Sequence, residues 1–137
     1  MTLIDAGPLI ALIDTRDKKN HQGCLTAFQS LKTAPLTTWP CVAEAMYLLG
    51  QLNGWPAQKL LMGLLKSGSV RIHNTIEAEL ERIDQLMEQY QDVPMDLADA
   101  SLVSLAELHG VRQILTLDDD FFIYRINGKD SFDVIKP

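Results

Sequence analysis

The chain has 137 residues, 47% hydrophobic and 22% charged, which fits one globular domain spanning residues 1–137 with room for a sizeable core. Twelve Lys and Arg against eighteen Asp and Glu give a net charge of -6, which argues against a protein that grips nucleic acid through a broad basic face. No apolar run reaches the roughly 18 residues of a membrane span and no basic segment precedes the first apolar residues, so a cytoplasmic protein with no membrane partner is expected.

Taken in chain order, Thr2–Ile4 reads as a short buried strand. After Asp5, Ala6, Gly7 and Pro8 comes an apolar run, then a helical pattern from about His21 to Leu31. Leu36–Thr38 fits a second strand. Trp39 to Gly50 reads as a helix with Pro40 in its first turn and Gly50 near its end, as helix termini prefer. A further helix covers Pro56 to Gly68, where Ala57, Leu60, Leu61, Leu64 and Leu65 follow the template of an amphipathic face, either core or partner surface.

Val70–Asn74 alternates like a strand. Thr75 can then cap a helix whose Ile76, Leu80, Ile83, Met87 and Tyr90 form one stripe, ended by Pro94. Asp96 to His109 reads as a buried helix stopped by Gly110, and Arg112–Leu117 as the next strand. Phe121–Ile126 and Phe132–Ile135 look like strands too. Short apolar strands alternating with helices predict an α/β domain, a mostly parallel central sheet covered on both faces. Cys24 and Cys41 lack CxxC or CxxH spacing and are expected to be reduced and packed.

Several acids stand where acids are costly. Asp5 is the only charged residue from Met1 through Ile13, and Glu44 the only one between Trp39 and Leu49. Asp99 shares a helical face with Leu102, Val103 and Ala106, and Asp96 lies one turn earlier on that face. Asp118 follows the apolar Ile114–Leu117 much as Asp5 follows Thr2–Ile4, and in parallel sheets the carboxyl ends of strands are where ligands bind. Buried carboxylates need compensation. The segments around these four are poor in Arg and Lys, whereas one divalent cation compensates several carboxylates at once; oxygen ligands suit Mg²⁺ or Mn²⁺, the usual equipment of phosphoryl chemistry.

Local roles are open to each acid as well. Asp5 can open a turn before Gly7 and Pro8. Asp96 can cap its helix with Asp99 in the first turn, and Asp119 and Asp120 read as turn or surface acids. Glu44 is the hardest to explain this way, because a helix interior flanked by Val42, Ala43, Ala45 and Met46 offers it neither a cap nor obvious solvent. Other chemistries lack their defining residues. His21, His73 and His109 have no paired metal spacing. There is no GxSxG elbow, P-loop or GxGxxG fingerprint, and Gly7 stands where an aspartyl-phosphate phosphatase has its second Asp.

The order and spacing of LIDAGPLIALID, VAEAMYLL, DLADASLVSLAELHG and ILTLDDDF resemble the PIN-domain nucleases, in particular the VapC-like toxins of toxin-antitoxin pairs, nearly end to end. The resemblance implies a three-layer α/β/α fold with an acidic pocket that binds Mg²⁺ or Mn²⁺ and cleaves RNA by metal-activated water, leaving a 5′-phosphate and a 3′-hydroxyl. It matches Asp5, Glu44, Asp99 and Asp118 to the four catalytic metal-binding acids, Asp96 and Asp120 to auxiliary ones, and Thr116 to a hydroxyl that orients a ligand or water. It also implies a cognate antitoxin partner and a homodimer. The competing readings are a binding or regulatory protein in which the acids form a cation site, and a metal-dependent DNA nuclease or phosphatase on the same site.

Overall fold

The computed structural model describes residues Met1–Pro137. Strand β1 (Thr2–Ile4) leads directly into helix α1 (Ala6–Ile13), and α2 (Lys18–Ser30) returns the chain to β2 (Leu36–Thr38). Helices α3 (Trp39–Asn53) and α4 (Trp55–Lys66) connect to β3 (Arg71–His73). A 3₁₀ turn (Glu77–Glu79), α5 (Leu80–Gln89) and α6 (Leu97–His109) then lead to β4 (Gln113–Leu115). A second 3₁₀ turn (Asp119–Phe122), the short strands β5 (Arg125–Ile126) and β6 (Asp130–Ser131), and β7 (Asp133–Ile135) complete the chain.

Five strands form a parallel sheet in the order β3-β2-β1-β4-β7, and β5 pairs with β6 as a separate antiparallel hairpin. The chain steps outward from β1 to β2 to β3 and then crosses back to β4 on the other side of β1. Right-handed crossovers put helices on one face during the outward steps and on the opposite face during the return. The packing agrees in the main: α1 lies against α2, α3 and α4, and α5 packs on α6, while α3 and α6 also meet each other. This is the α/β/α sandwich expected from the alternation of strands and helices. The strand order reverses between β1 and β4, and in such sheets the crevice outside the carboxyl ends of the strands at that reversal is the natural ligand site.

Leu3, Ile4, Ile114 and Leu115 of the two central strands are fully buried, each contributing about 1.5–3 kcal/mol by leaving water. Helix α6 is buried without interruption from Ala98 through Ala106, as its apolar sequence predicts, and ends at Gly110, whose φ of 64° closes the last turn. Both cysteines are free and buried, as expected. Burial pushes the Cys24 thiol up to about 11 and the Cys41 thiol to about 12.

The structure corrects several boundaries. Helix α1 begins at Ala6, immediately after Asp5 caps it, so no linker separates strand from helix. Helix α2 begins at Lys18, where Asp17 caps Asn20 N–H. Helix α3 runs past Gly50 to Asn53. Gly50 is an approach point: a Cβ there would lie 2.6 Å from Gln58 Nε2, the atom that donates to Met46 O at 3.0 Å and ties α4 to α3.

Thr75 does not cap a helix, since its hydroxyl has no hydrogen-bond partner. The carboxylate of the buried Glu79 takes Ile76 N–H and closes a 3₁₀ turn before α5. Ile76 and Leu80 of the expected α5 stripe are exposed, while Ile83 is buried. On α4, Ala57 and Leu61 are buried, but Leu60 is exposed beside an open apolar groove with Leu12, Ile13, Leu25, Phe28 and Leu64. Phe121–Ile126 is a 3₁₀ turn and half a hairpin instead of one strand. Its backbone turns back so that Tyr124 N–H reaches Asp120 O at 3.1 Å.

Candidate active site

Asp5 is the first residue beyond β1. Asp5 N–H donates to Leu115 O of β4 at 3.1 Å, so its carboxylate emerges at the point where the strand order reverses. The side chain does two things at once. Oδ1 accepts Ala6 N–H at 2.8 Å, capping α1, and Oδ2 accepts the Thr116 hydroxyl at 2.8 Å. That hydroxyl has its proton committed to Asp5, and its oxygen accepts Asp118 N–H at 3.0 Å. Asp118 Oδ1 in turn accepts Asp120 N–H at 2.9 Å.

From the opposite face, α6 brings Asp99 up by one turn of helix. Asp96 caps α6 by accepting Asp99 N–H at 2.8 Å, and Asp99 Oδ2 reaches back to Asp96 N–H at 3.4 Å, a reciprocal capping box. The result is that Asp5, Asp99 and Asp118 each offer an oxygen within 4.8 Å of the others. They line a pocket of about 270 Å³ with Glu44, Asp96, Gly7, Ile10, Leu48 and others, and no Lys, Arg or His is among the lining residues.

The electrostatics follow from that arrangement. Burial pushes the Asp5 carboxyl up to about 6; the Thr116 and Ala6 donors oppose the rise, and the charges of Asp118 and Asp96 add to it. Asp99 is pushed to about 8 by burial first and then by Asp96 and Asp5, with the Tyr124 hydroxyl working the other way. Glu44 is raised by burial and by Asp96, Asp5 and Asp118. Hard oxygen donors, crowded negative charge and no basic counter-charge are the donor set of a hard divalent cation. The residues therefore fit such an ion.

The sequence candidates separate in space. Asp5, Asp99 and Asp118 converge; Glu44 and Asp96 line the same pocket from exposed positions, Glu44 on α3 and Asp96 at the start of α6. Glu44 is thus not deprived of solvent, contrary to the reading of its apolar neighbours. The outer face of α3 carries Ala43, Tyr47 and Leu48 exposed beside it, so apolar flanks do not mean burial there. Asp120 contributes its N–H to Asp118, and its side chain does not line the pocket. Asp119 is exposed and paired with Lys136.

Sequence reasoning misses Tyr124, which is fully buried and donates to Asp99 Oδ2 at 3.0 Å. The available signal was a phenol inside an apolar run, since a buried Tyr hydroxyl usually finds a partner; the strand reading of that run gave no reason to look toward α6.

The PIN domain family profile matches residues 2–127. The chain belongs to the PIN domain family. This PIN domain is 31% identical over 134 residues to Ribonuclease VapC26 of Mycobacterium tuberculosis, covering 97% of this chain and 98% of that protein. Among solved structures it resembles Mycobacterium tuberculosis VapC20, described as a Sarcin-Ricin loop cleaving toxin, with a TM-score of 0.80 and 18% identity over 88% of this chain and 92% of that one. A toxin-antitoxin complex from Klebsiella pneumoniae matches with a TM-score of 0.68 and 22% identity over 100% of this chain and 98% of that one. At such identities these two likenesses speak to the fold. The PIN fold accounts for the strand order.

Proposed function

We propose that this PIN domain is a Mg²⁺- or Mn²⁺-dependent endoribonuclease and the toxin of a toxin-antitoxin pair, acting in the cytoplasm. The observation that carries the reading is the convergence of Asp5, Asp99 and Asp118 within 4.8 Å in a pocket lined by acids and free of basic residues. The 31% identity to a protein named a ribonuclease, over nearly all of both chains, supports RNA as the substrate.

Asp5, Asp99 and Asp118 would hold the ion, with Glu44 and Asp96 as the further acids at the rim. A divalent ion in such a site neutralises phosphate charge and lowers the pKa of an attacking water. The protein's own part is to keep the carboxylates in place. Thr116 fixes Asp5, the Asp120 N–H fixes Asp118, and Asp96 fixes Asp99 through the capping box. Glu44, exposed at the rim with its carboxyl raised by burial and the neighbouring acids, is placed to take a proton from water entering the pocket.

Two partners follow from the same reading. A protein antitoxin is expected, and the open apolar groove between α1, α2 and α4 is a surface of the kind that receives an amphipathic helix. A homodimer is expected too, supported by the exposed apolar side chains Trp39, Tyr47, Leu48 and Leu52 of α3 and Trp55 at the start of α4. No helix is long and apolar enough to cross a membrane.

The test is cleavage of a mixed RNA pool by purified wild type with Mg²⁺ or Mn²⁺, with EDTA, and by Asp5→Asn and Asp99→Asn prepared identically. Metal-dependent cleavage that disappears in both variants is the expected result. Equal cleavage by all three would trace the activity to a contaminant, and absence of cleavage together with no effect of metal on the melting temperature would favour the binding-protein reading.

A further inference from the structure

Asp99 receives both of its hydrogen bonds on one oxygen. Oδ2 accepts the Tyr124 hydroxyl at 3.0 Å and Asp96 N–H at 3.4 Å, and no protein donor reaches Oδ1. We propose that Tyr124 is the positioning residue of the cation site, holding Asp99 Oδ2 so that Oδ1 is the atom presented to the ion. The inference rests on the cation-dependent reading of the pocket and adds a residue that contacts no substrate.

The physical need for such a residue is specific to Asp99. The torsion that turns a carboxylate is soft and roughly two-fold. Asp5 has a donor on each of its oxygens, Ala6 N–H on one and the Thr116 hydroxyl on the other, whereas Asp99 has donors on Oδ2 alone. A hydroxyl donates only to an acceptor oxygen, so the Tyr124 contact at 3.0 Å selects one orientation of the carboxylate. The 3.4 Å contact from Asp96 N–H is long for this task alone.

Tyr124 is equipped to hold that position. Its ring sits edge-on to Phe121 and to Tyr90, each with centroids 5.1 Å away. Its own N–H donates to Asp120 O at 3.1 Å, and the Asp120 N–H holds Asp118. One short segment, 118–124, therefore fixes two of the three converging acids: Asp118 from within, and Asp99 by reaching across to α6. Movement of this turn would displace both acids together.

The experiment is Mn²⁺ titration followed by electron paramagnetic resonance, on wild type, Tyr124→Phe, Tyr90→Phe, Asp99→Asn and the double variant Tyr124→Phe/Asp99→Asn. Tyr90→Phe is the structural control: it removes a neighbouring phenol that accepts Arg125 N–H at 3.1 Å and touches no acid. Loss of a partner that orients a metal ligand typically weakens binding 10–100-fold, so Tyr124→Phe is expected to weaken Mn²⁺ by about 10-fold or more. Tyr90→Phe should stay near wild type, and Tyr124→Phe should add nothing once Asp99 is Asn. Wild-type affinity in Tyr124→Phe, an equal loss in Tyr90→Phe, or a further loss in the Asp99→Asn background would each overturn the positioning role. Asp99→Asn binding Mn²⁺ as well as wild type would instead overturn the cation site on which the inference rests.

Discussion

The Thr116 hydroxyl donates to Asp5 Oδ2 at 2.8 Å while its oxygen accepts Asp118 N–H at 3.0 Å. One buried side chain thus ties the acid after β1 to the backbone of the acid after β4. Replacing it with the near-isosteric Val removes the donor that holds Asp5 down and leaves Asp118 N–H without its acceptor. Unmet buried polar groups cost about 1–3 kcal/mol each, so Thr116→Val is expected to lower stability by about 1–3 kcal/mol in urea denaturation and to weaken Mn²⁺ binding. An unchanged denaturation midpoint would mean that the hydroxyl is dispensable to both acids.

Asp5 and Asp99 give the ion-free protein an unusual pH dependence. Their carboxyls are raised to about 6 and about 8 in the folded protein, against about 3.9 for an unfolded Asp. Between those values the folded state binds more protons than the unfolded state, so stability falls as pH rises. The stability these two groups contribute in EDTA should be fully present below about pH 4 and be lost progressively as pH rises to about 8. Mn²⁺ favours the ionised carboxylates, so it should stabilise more at pH 8 than at pH 5. Urea denaturation at pH 5, 6.5 and 8, with and without Mn²⁺, measures both trends; a flat profile in EDTA would remove the basis for the raised values.

Which parts of this were legible in the sequence depends on what each signal reports. Strands β1 and β4 and helix α6 were legible because their residues are mostly apolar, and the structure buries them. Asp5, Asp99 and Asp118 stood out because each interrupts such a run, and the strand-end rule brings the first and last together. Glu44 was misjudged because composition cannot tell an apolar residue facing the core from one facing solvent, and α3 has both. Tyr124 was invisible because its role depends on a contact between residues 99 and 124, made by a turn that the strand-like sequence Phe121–Ile126 conceals.

Glu44 and Asp99 should respond differently to neutralisation. Glu44 is exposed at the rim, so Glu44→Gln is expected to change stability by no more than about 0.5 kcal/mol, as surface substitutions usually do, while lowering metal-dependent cleavage. Asp99 is buried with its charge disfavoured, so Asp99→Asn should raise the melting temperature in EDTA at pH 8 and abolish the stabilisation by Mn²⁺. Thermal melts of the two variants in EDTA and in Mn²⁺ check this. Destabilisation of ion-free Asp99→Asn at pH 8 would show that its hydrogen bonds with Tyr124 and Asp96 outweigh the burial of its charge.

The α3 surface offers a test of assembly that is independent of the acids. Tyr47 is 65% and Leu52 42% exposed, on the same helix that carries Glu44 to the pocket rim, and Leu48 between them lines the pocket as well. A second copy covering Tyr47, Leu48 and Leu52 would bring two pockets near each other and exclude water from side chains that a monomer leaves wet. Tyr47→Asp places a charge on the most exposed of these apolar side chains without touching the core. It should convert a dimer to a monomer in sedimentation velocity while leaving the monomer's fold, read by circular dichroism, unchanged. A wild-type protein that sediments as a monomer across micromolar concentrations would remove homodimerisation from the reading, and a Tyr47→Asp variant that remains dimeric would move the interface to another face.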